Sequence, residues 1–229
     1  MERKTSKVKR QTSKALAVHQ LLIEEYGLQE WRPRFDPLSE LISTILSQNT
    51  SDVNRDRAWE RLKDRFPTWE SVLAADPAEL AEAIRPGGLA DIKAPRIQEA
   101  LRAIKRERGE FTLDFLADMD AHEAKRWLTS LNGVGPKTAA IVLLFSLGKP
   151  AFPVDTHVHR VSRRLGLIAP KTSREKAHDV LEELLPPEIY FTFHLNLITH
   201  GRKVCKSQRP RCETCVLQEH CAYYRESQT

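Results

Sequence analysis

Apolar residues recur three and four positions apart along nearly the whole chain, the spacing that lines them up on one face of a helix. After Asp36-Pro37, a cap residue followed by proline at the first helical position, Leu38, Leu41, Ile42, Ile45 and Leu46 form such a stripe. Asp52 opens a second stretch with Val53, Trp59, Leu62 and Phe66 at helical spacing, closed by Pro67. Asp76-Pro77-Ala78-Glu79 and Asp120-Ala121-His122-Glu123 read as capping boxes with Asp in the cap role. Between Ser173 and Leu185, Ala177, Val180, Leu181 and Leu184 share a face. No stretch alternates apolar and polar residues as a half-buried strand does, and no Asn-Gly turn joins two such stretches. Pro86-Gly87-Gly88 and Pro186-Pro187 mark connections, and helical spacing of the four Trp and most Phe assigns them to core packing. The expected class is all-α.

Composition narrows the setting. The 229 residues carry 36 Lys and Arg against 31 Asp and Glu, a net charge of +5 that is too modest by itself to demand a polyanionic partner. Part of the charge is localised in MERKTSKVKR at residues 1–10, which reads as a disordered solvated tail or, alternatively, a phosphate-touching arm. No apolar run approaches the roughly 18 residues that span a bilayer. No apolar segment of a secretory signal follows the N-terminal charges. The expected location is a reducing cytoplasm, where four cysteines act as metal ligands more often than as disulfides.

Chemistry concentrates in Leu131-Asn132-Gly133-Val134-Gly135-Pro136-Lys137-Thr138-Ala139-Ala140. A helix ending near Ser130 and another starting near Pro136 are joined by a loop with two glycines. Such a loop lets the backbone approach another molecule and aims unpaired N–H groups at a phosphate oxygen. An ordinary αα-corner has the same appearance. Lys137 falls in the first helical turn, where the macrodipole disfavours a second positive charge, and a local inconsistency of this kind is often functional. Eighteen residues on, Val154-Asp155-Thr156-His157-Val158 places Asp155 to cap the next helix, as a plain N-cap or as a working carboxylate. His157 and His159, two apart in a helix, point different ways, and neither is read as a ligand.

Cys205, Cys212, Cys215 and Cys221, the complete set of cysteines, lie within the last 25 residues with six, two and five residues between them. That clustering indicates a metal site, and spacing alone leaves zinc and iron–sulfur both open. The basic stretch Lys206-Ser207-Gln208-Arg209-Pro210-Arg211, tied to ligands at both ends, could aim Arg209 and Arg211 at DNA phosphates or simply be solvated.

Taken together, LNGVGPKTAA and VDTHVHR resemble the helix-hairpin-helix, Gly/Pro-Asp (HhH-GPD) DNA glycosylase superfamily, specifically its endonuclease III branch. The resemblance runs from about residue 15 to the end. It implies Lys137 as the nucleophile, Asp155 as the essential carboxylate, and a [4Fe–4S] cluster on the C-x₆-C-x₂-C-x₅-C pattern. It assigns Gly133, Val134, Gly135 and Thr138 to phosphate binding. PLSELISTILSQNTSD and IRPGGLADIKAPRI look like the two loops that enter the duplex, with Leu89 at the intercalating leucine. The family commonly has Gln at the opposing wedge. This chain has Asn49 there with Gln48 alongside, which leaves the choice between them open.

The resemblance thus implies a two-lobed all-α fold. A six-helix bundle over 36–150 carries the hairpin, and a discontinuous iron–sulfur lobe is built from 1–35 and 151–229, with the active site in the cleft between. The implied activity is that of a bifunctional DNA glycosylase/AP lyase of base excision repair. It would remove oxidised or damaged pyrimidines and cleave the abasic site by β-elimination through a lysine Schiff base. A monofunctional mismatch or adenine glycosylase is the alternative within the superfamily, and a non-catalytic DNA-binding protein the alternative outside it. The expected partner is double-stranded DNA with damaged bases or abasic sites, bound by a monomer at a prokaryotic nucleoid and without a membrane.

Overall fold

A computed structural model of the protein describes residues 2–228, with side chains from Lys9 onward. The expected disorder or phosphate contact of the basic run at residues 1–10 therefore falls largely outside the described residues. Twelve α-helices and several short 3-10 turns, with no strand, make up the described residues. No helix among them is long and apolar enough to cross a membrane.

The helices are α1 (Glu2–Tyr26), α2 (Pro37–Ser47), α3 (Asp52–Arg65), α4 (Trp69–Ala74), α5 (Pro77–Ile84), α6 (Ala90–Arg108), α7 (Ala121–Ser130), α8 (Pro136–Leu147), α9 (Thr156–Leu165), α10 (Arg174–Leu184), α11 (Tyr190–Lys203) and α12 (Ala222–Glu226). They divide into two compact units, one of residues 33–149 and one of residues 1–32 with 150–229.

In the 33–149 unit, α2 is the central rod. Every residue from Pro37 to Leu46 is buried, and the helix packs most extensively on α8. Glu40 is fully buried, which an unpaired carboxylate could not tolerate, and Arg34 meets it with both guanidinium ends while Thr44 Oγ1 donates to its Oε1 at 3.2 Å. α5 packs on α6 and α3, and α7 on α8. Asp36, Asp76 and Asp120 cap their helices as expected, each accepting two backbone N–H groups. The reciprocal box, however, forms at Thr68 and Ser71, where each side chain meets the other's backbone N–H at 3.2 and 3.1 Å. The cap of α3 is Ser51, one residue ahead of Asp52.

In the other unit, α11 packs on α9 and α1, and α12 on α9. Phe152 sits at its centre among the rings of Tyr190, Phe193 and His194. Asn196 of α11 donates to the carbonyls of Leu22 and Gly27 and so closes the end of α1.

The assignment of aromatic residues to the core needs correction. None of the four Trp is fully buried, Trp31 is 41% exposed, and of the eight Phe only Phe66, Phe152 and Phe193 are buried. Leu, Ile, Val and Ala fill the close helix contacts, and the bulkier rings sit at the rim. There they stack on one another, as Phe35, Trp59 and Trp69 do, or beneath cations, as Trp69 lies under Lys63 and Phe115 under Arg108. Val53, assigned to the inner face of α3, is instead 60% exposed.

Candidate functional site

The hairpin forms where the sequence placed it. α7 ends at Ser130, Val134 N–H closes a turn on Leu131 C=O at 3.1 Å, and α8 starts at Pro136. Gly133 needs to be glycine, since its φ is +80° and a Cβ there would meet Arg96 Cδ at 3.0 Å. Gly135 is extended, with nothing within 4 Å of a Cβ position, so it supplies open access and no special conformation. α8 begins without a side-chain cap, and the N–H groups of Gly135, Lys137 and Thr138 have no acceptor among the described residues. Val134 and Thr138 are buried, so either can meet a ligand only through its backbone. Lys137 is half-buried, with no ion-pair or hydrogen-bond partner among the described residues. α6 braces the loop from behind through Arg96 and through Glu99, which accepts from Asn132 Nδ2 at 2.7 Å.

The two loops expected to enter the duplex both lie in this same unit. Asn49, Leu89 and Arg209 are the non-glycine residues with positive φ among those described, at 54°, 52° and 47°. Left-handed backbone costs an L-residue roughly 1–2 kcal/mol, and it concentrates at functional positions. Leu89 is 50% exposed at the tip of its loop, with Ile92 and Val53 also exposed. Gln48 and Asn49 are separated by their surroundings. Gln48 is half-buried and turns its Nε2 toward the Gly133 carbonyl at 3.4 Å, whereas Asn49 is exposed. Lys93, which the sequence reading did not single out, is 1% exposed and donates from Nζ to the carbonyls of Leu46 and Gly87. Burial alone pushes its ammonium down to about 8.

Asp155 belongs to the second unit. It caps α9, its Oδ1 accepting from Val158 N–H at 2.7 Å, and it is half-buried. His157 and His159 are engaged elsewhere, with Arg160 Nη2 and Thr172 C=O at 3.0 and 2.8 Å. Further along α9, Arg160 donates to the carbonyls of Gly201 and Cys205, and Arg164 to those of Lys206 and Ser207. The helix that starts at Asp155 thus grips the stretch after Cys205, leaving Arg209 and Arg211 exposed.

Cys205, Cys212, Cys215 and Cys221 are free thiols, all half-buried and all lining one pocket. Arg164 Nη1 lies 3.3 Å from Cys205 Sγ, and His200 Nε2 lies 3.5 Å from Cys215 Sγ. Burial pushes His200 down to about 4, so the ring is neutral. Its Nδ1 meets the Tyr26 hydroxyl at 3.0 Å, which holds the ring with Nε2 facing the sulfur. Burial, and then the neighbouring thiols, push the Cys215 thiol up to about 11 and raise Cys212 and Cys221. Four thiolates can coexist there only around a bound cation. Yet no three His, Cys, Asp or Glu side chains among the described residues are grouped to hold a single metal ion. A lone zinc draws its sulfurs to roughly 2.3 Å. Four free thiols around one pocket are a donor set of the kind that holds zinc or an iron–sulfur cluster. Arg160, Arg164, His200 and Tyr26 carry no sequence signal, because their roles depend on tertiary neighbours up to 174 residues away.

Comparison with known proteins gives a family match at residues 42–187 to the HhH-GPD superfamily of base excision DNA repair proteins. Over 190 residues the chain is 39% identical to endonuclease III of Thermotoga maritima, covering 83% of this chain and 84% of that one. It is 33% identical to endonuclease III of Sulfolobus acidocaldarius, over 80% and 81% of the two chains. A solved structure of a trapped endonuclease III–DNA covalent intermediate superimposes with a TM-score of 0.81 at 29% identity, over 95% of this chain and 99% of that one.

Proposed function

The chain belongs to the HhH-GPD superfamily, on its endonuclease III branch, as a base excision repair DNA glycosylase with lyase activity, and we propose that it excises oxidised or damaged pyrimidines through Lys137. It does so on double-stranded DNA, as a monomer, in the cytoplasm and on the nucleoid. The observation that carries the assignment of roles is Lys137 itself, an unpaired amine in the first turn of α8, whose start has no side-chain cap. Backbone N–H groups of Gly135 and Thr138 take a phosphate, the positive helix end adding to their pull. Arg209 and Arg211 take further phosphates. Asn49 and Leu89 occupy the space left when the damaged nucleotide turns out of the stack.

The Lys137 amine bonds to the sugar C1′ as the bond from C1′ to the base breaks, and the base leaves with its electron pair. Opening of the sugar ring gives the lysine Schiff base. Loss of a C2′ proton then expels the 3′ phosphate and cuts the strand. Asp155 either takes the proton from Lys137 or offsets positive charge on the sugar, and both roles need a carboxylate held at a fixed point, which the α9 cap provides. The four cysteines would hold a [4Fe–4S] cluster, which supplies a structural cross-link and leaves the nucleotide chemistry to the protein.

Borohydride reduction on DNA with an abasic site tests this reading, since only a Schiff base is fixed covalently. Trapping by the wild type and its loss in Lys137→Ala are expected. Absence of trapping, or trapping that survives the substitution, overturns the assignment.

A further inference from the structure

Lys93 heads the fully buried side chains by volume and takes no part in the reaction above. A site that merely needed filling would hold leucine or methionine, because a buried ammonium without a carboxylate is costly. Lys93 has no ion-pair partner among the described residues. Its Nζ lies 2.7 Å from Leu46 O and 2.8 Å from Gly87 O. Both acceptors sit where a duplex-entering loop departs from its scaffold. Leu46 is in the last turn of α2, three residues before Asn49, and Gly87 closes a 3-10 turn two residues before Leu89. The backbone N–H of Lys93 also donates to Leu89 O at 2.9 Å, so one residue holds the second loop at both ends. Gly87 lies so close to the other segment that a Cβ there would come within 3.1 Å of Ala58 Cβ and 3.6 Å of Leu46 O. Asn49 and Leu89, in the two loops so held, both have left-handed backbones, at φ 54° and 52°.

We propose that Lys93 is a positioning residue that clasps the two loops through one buried ammonium and fixes the separation of Asn49 and Leu89, so that both side chains enter the duplex as a pair. This rests on the DNA-opening role given to those loops above. A fixed pair matters because filling a vacated base site needs both wedges at once, and either one alone leaves a gap on its side. Lys93→Met keeps the length of the side chain and removes every donor, leaving the two carbonyls unanswered.

The test uses a duplex with a tetrahydrofuran abasic analogue opposite 2-aminopurine, which brightens when unstacked. Saturating wild-type protein should raise the fluorescence. Saturating Lys93→Met should raise it by roughly a third as much or less, while its affinity for the same duplex changes by less than about threefold, the pattern of lost transition-type contacts without lost binding. A purely structural role would lower affinity and thermal stability together and leave the saturated signal as in wild type, which would overturn the proposal. Lys93→Gln, whose amide can answer one carbonyl, is read in the same way if Lys93→Met does not fold, and a full wild-type signal from it is equally fatal. Wild-type protein that binds without brightening removes the wedge role itself, and wild-type protein that does not bind removes the DNA reading. Each outcome is distinct from failure of Lys93 alone.

Discussion

Gly201 on α11 has no room for a methyl group, because a Cβ there would stand 2.9 Å from the Cβ of His157 on α9. The same glycine's carbonyl accepts from Arg160 Nη2 at 2.9 Å, so the two helices meet backbone to side chain over several residues. Gly201→Ala must push α9 and α11 apart. Overpacking of this kind costs about 1–3 kcal/mol, and urea unfolding should register a loss in that range. Stability equal to wild type would mean that the contact yields without strain.

Asp155 serves as both a cap and a carboxylate, and two substitutions separate those roles. Asn caps a helix about as well as Asp, so Asp155→Asn should leave the melting temperature nearly unchanged and lower excision by about 10²-fold or more. Asp155→Ala should lose that activity and about 1 kcal/mol of stability as well. Excision by Asp155→Asn at the wild-type rate would confine the residue to capping.

Leu89 combines exposure with a left-handed backbone, and glycine relieves the second without burying anything. Leu89→Gly should therefore raise stability by about 1 kcal/mol and reduce excision from duplex DNA, measured on the same preparation. A stability loss would show that the side chain contributes more to packing than its 50% exposure suggests.

Burial holds the Lys93 ammonium near 8, against 10.5 for an ordinary lysine. Between those values the unfolded chain keeps a proton that the folded chain has released. Stability from this group therefore rises as pH rises through that window. The difference in unfolding free energy, wild type minus Lys93→Met, should grow between roughly pH 8 and pH 10 by denaturant titration. A flat difference would mean that the folded amine titrates as it does in the unfolded chain, with no depression by burial.

Loss of the proposed metal group should be felt first in the stretch that it would tie down. Cys212→Ser should abolish any visible absorbance near roughly 400 nm. It should also weaken binding to undamaged duplex and make the salt dependence shallower, as Arg209 and Arg211 lose their fixed aim. An unchanged salt slope would detach those arginines from DNA.

What the sequence conveyed and what it withheld divide along physical lines. The stripe from Leu38 to Leu46 identified α2 because local periodicity reports the buried face directly. Asp36, Asp76, Asp120 and Asp155 were readable as caps because a cap is made within three residues. The hairpin and the four cysteines were readable for the same reason, since their meaning lies in short spacings. Lys93 was not, because a lysine in a helix gives no local sign that its ammonium will be enclosed by carbonyls of two other segments. Arg160 and Arg164 have an ordinary helical spacing, and only the fold brings the Cys205 stretch beneath them. The aromatic residues misled for a related reason. Periodicity tells which side of a helix a ring occupies and says nothing of whether another helix covers it.

In the wedge role proposed for them, two backbone tips already bent left-handed have consequences for how a genome is searched. A segment that folded on contact would lose chain entropy at every base pair it tried, and sound pairs would be rejected slowly. Tips that are already set lose little, so the work of opening falls on the nucleic acid and depends on how firmly each base is stacked. Damage then announces itself mechanically, as the place where a stiff probe meets least resistance, before any chemical group on the base has been recognised.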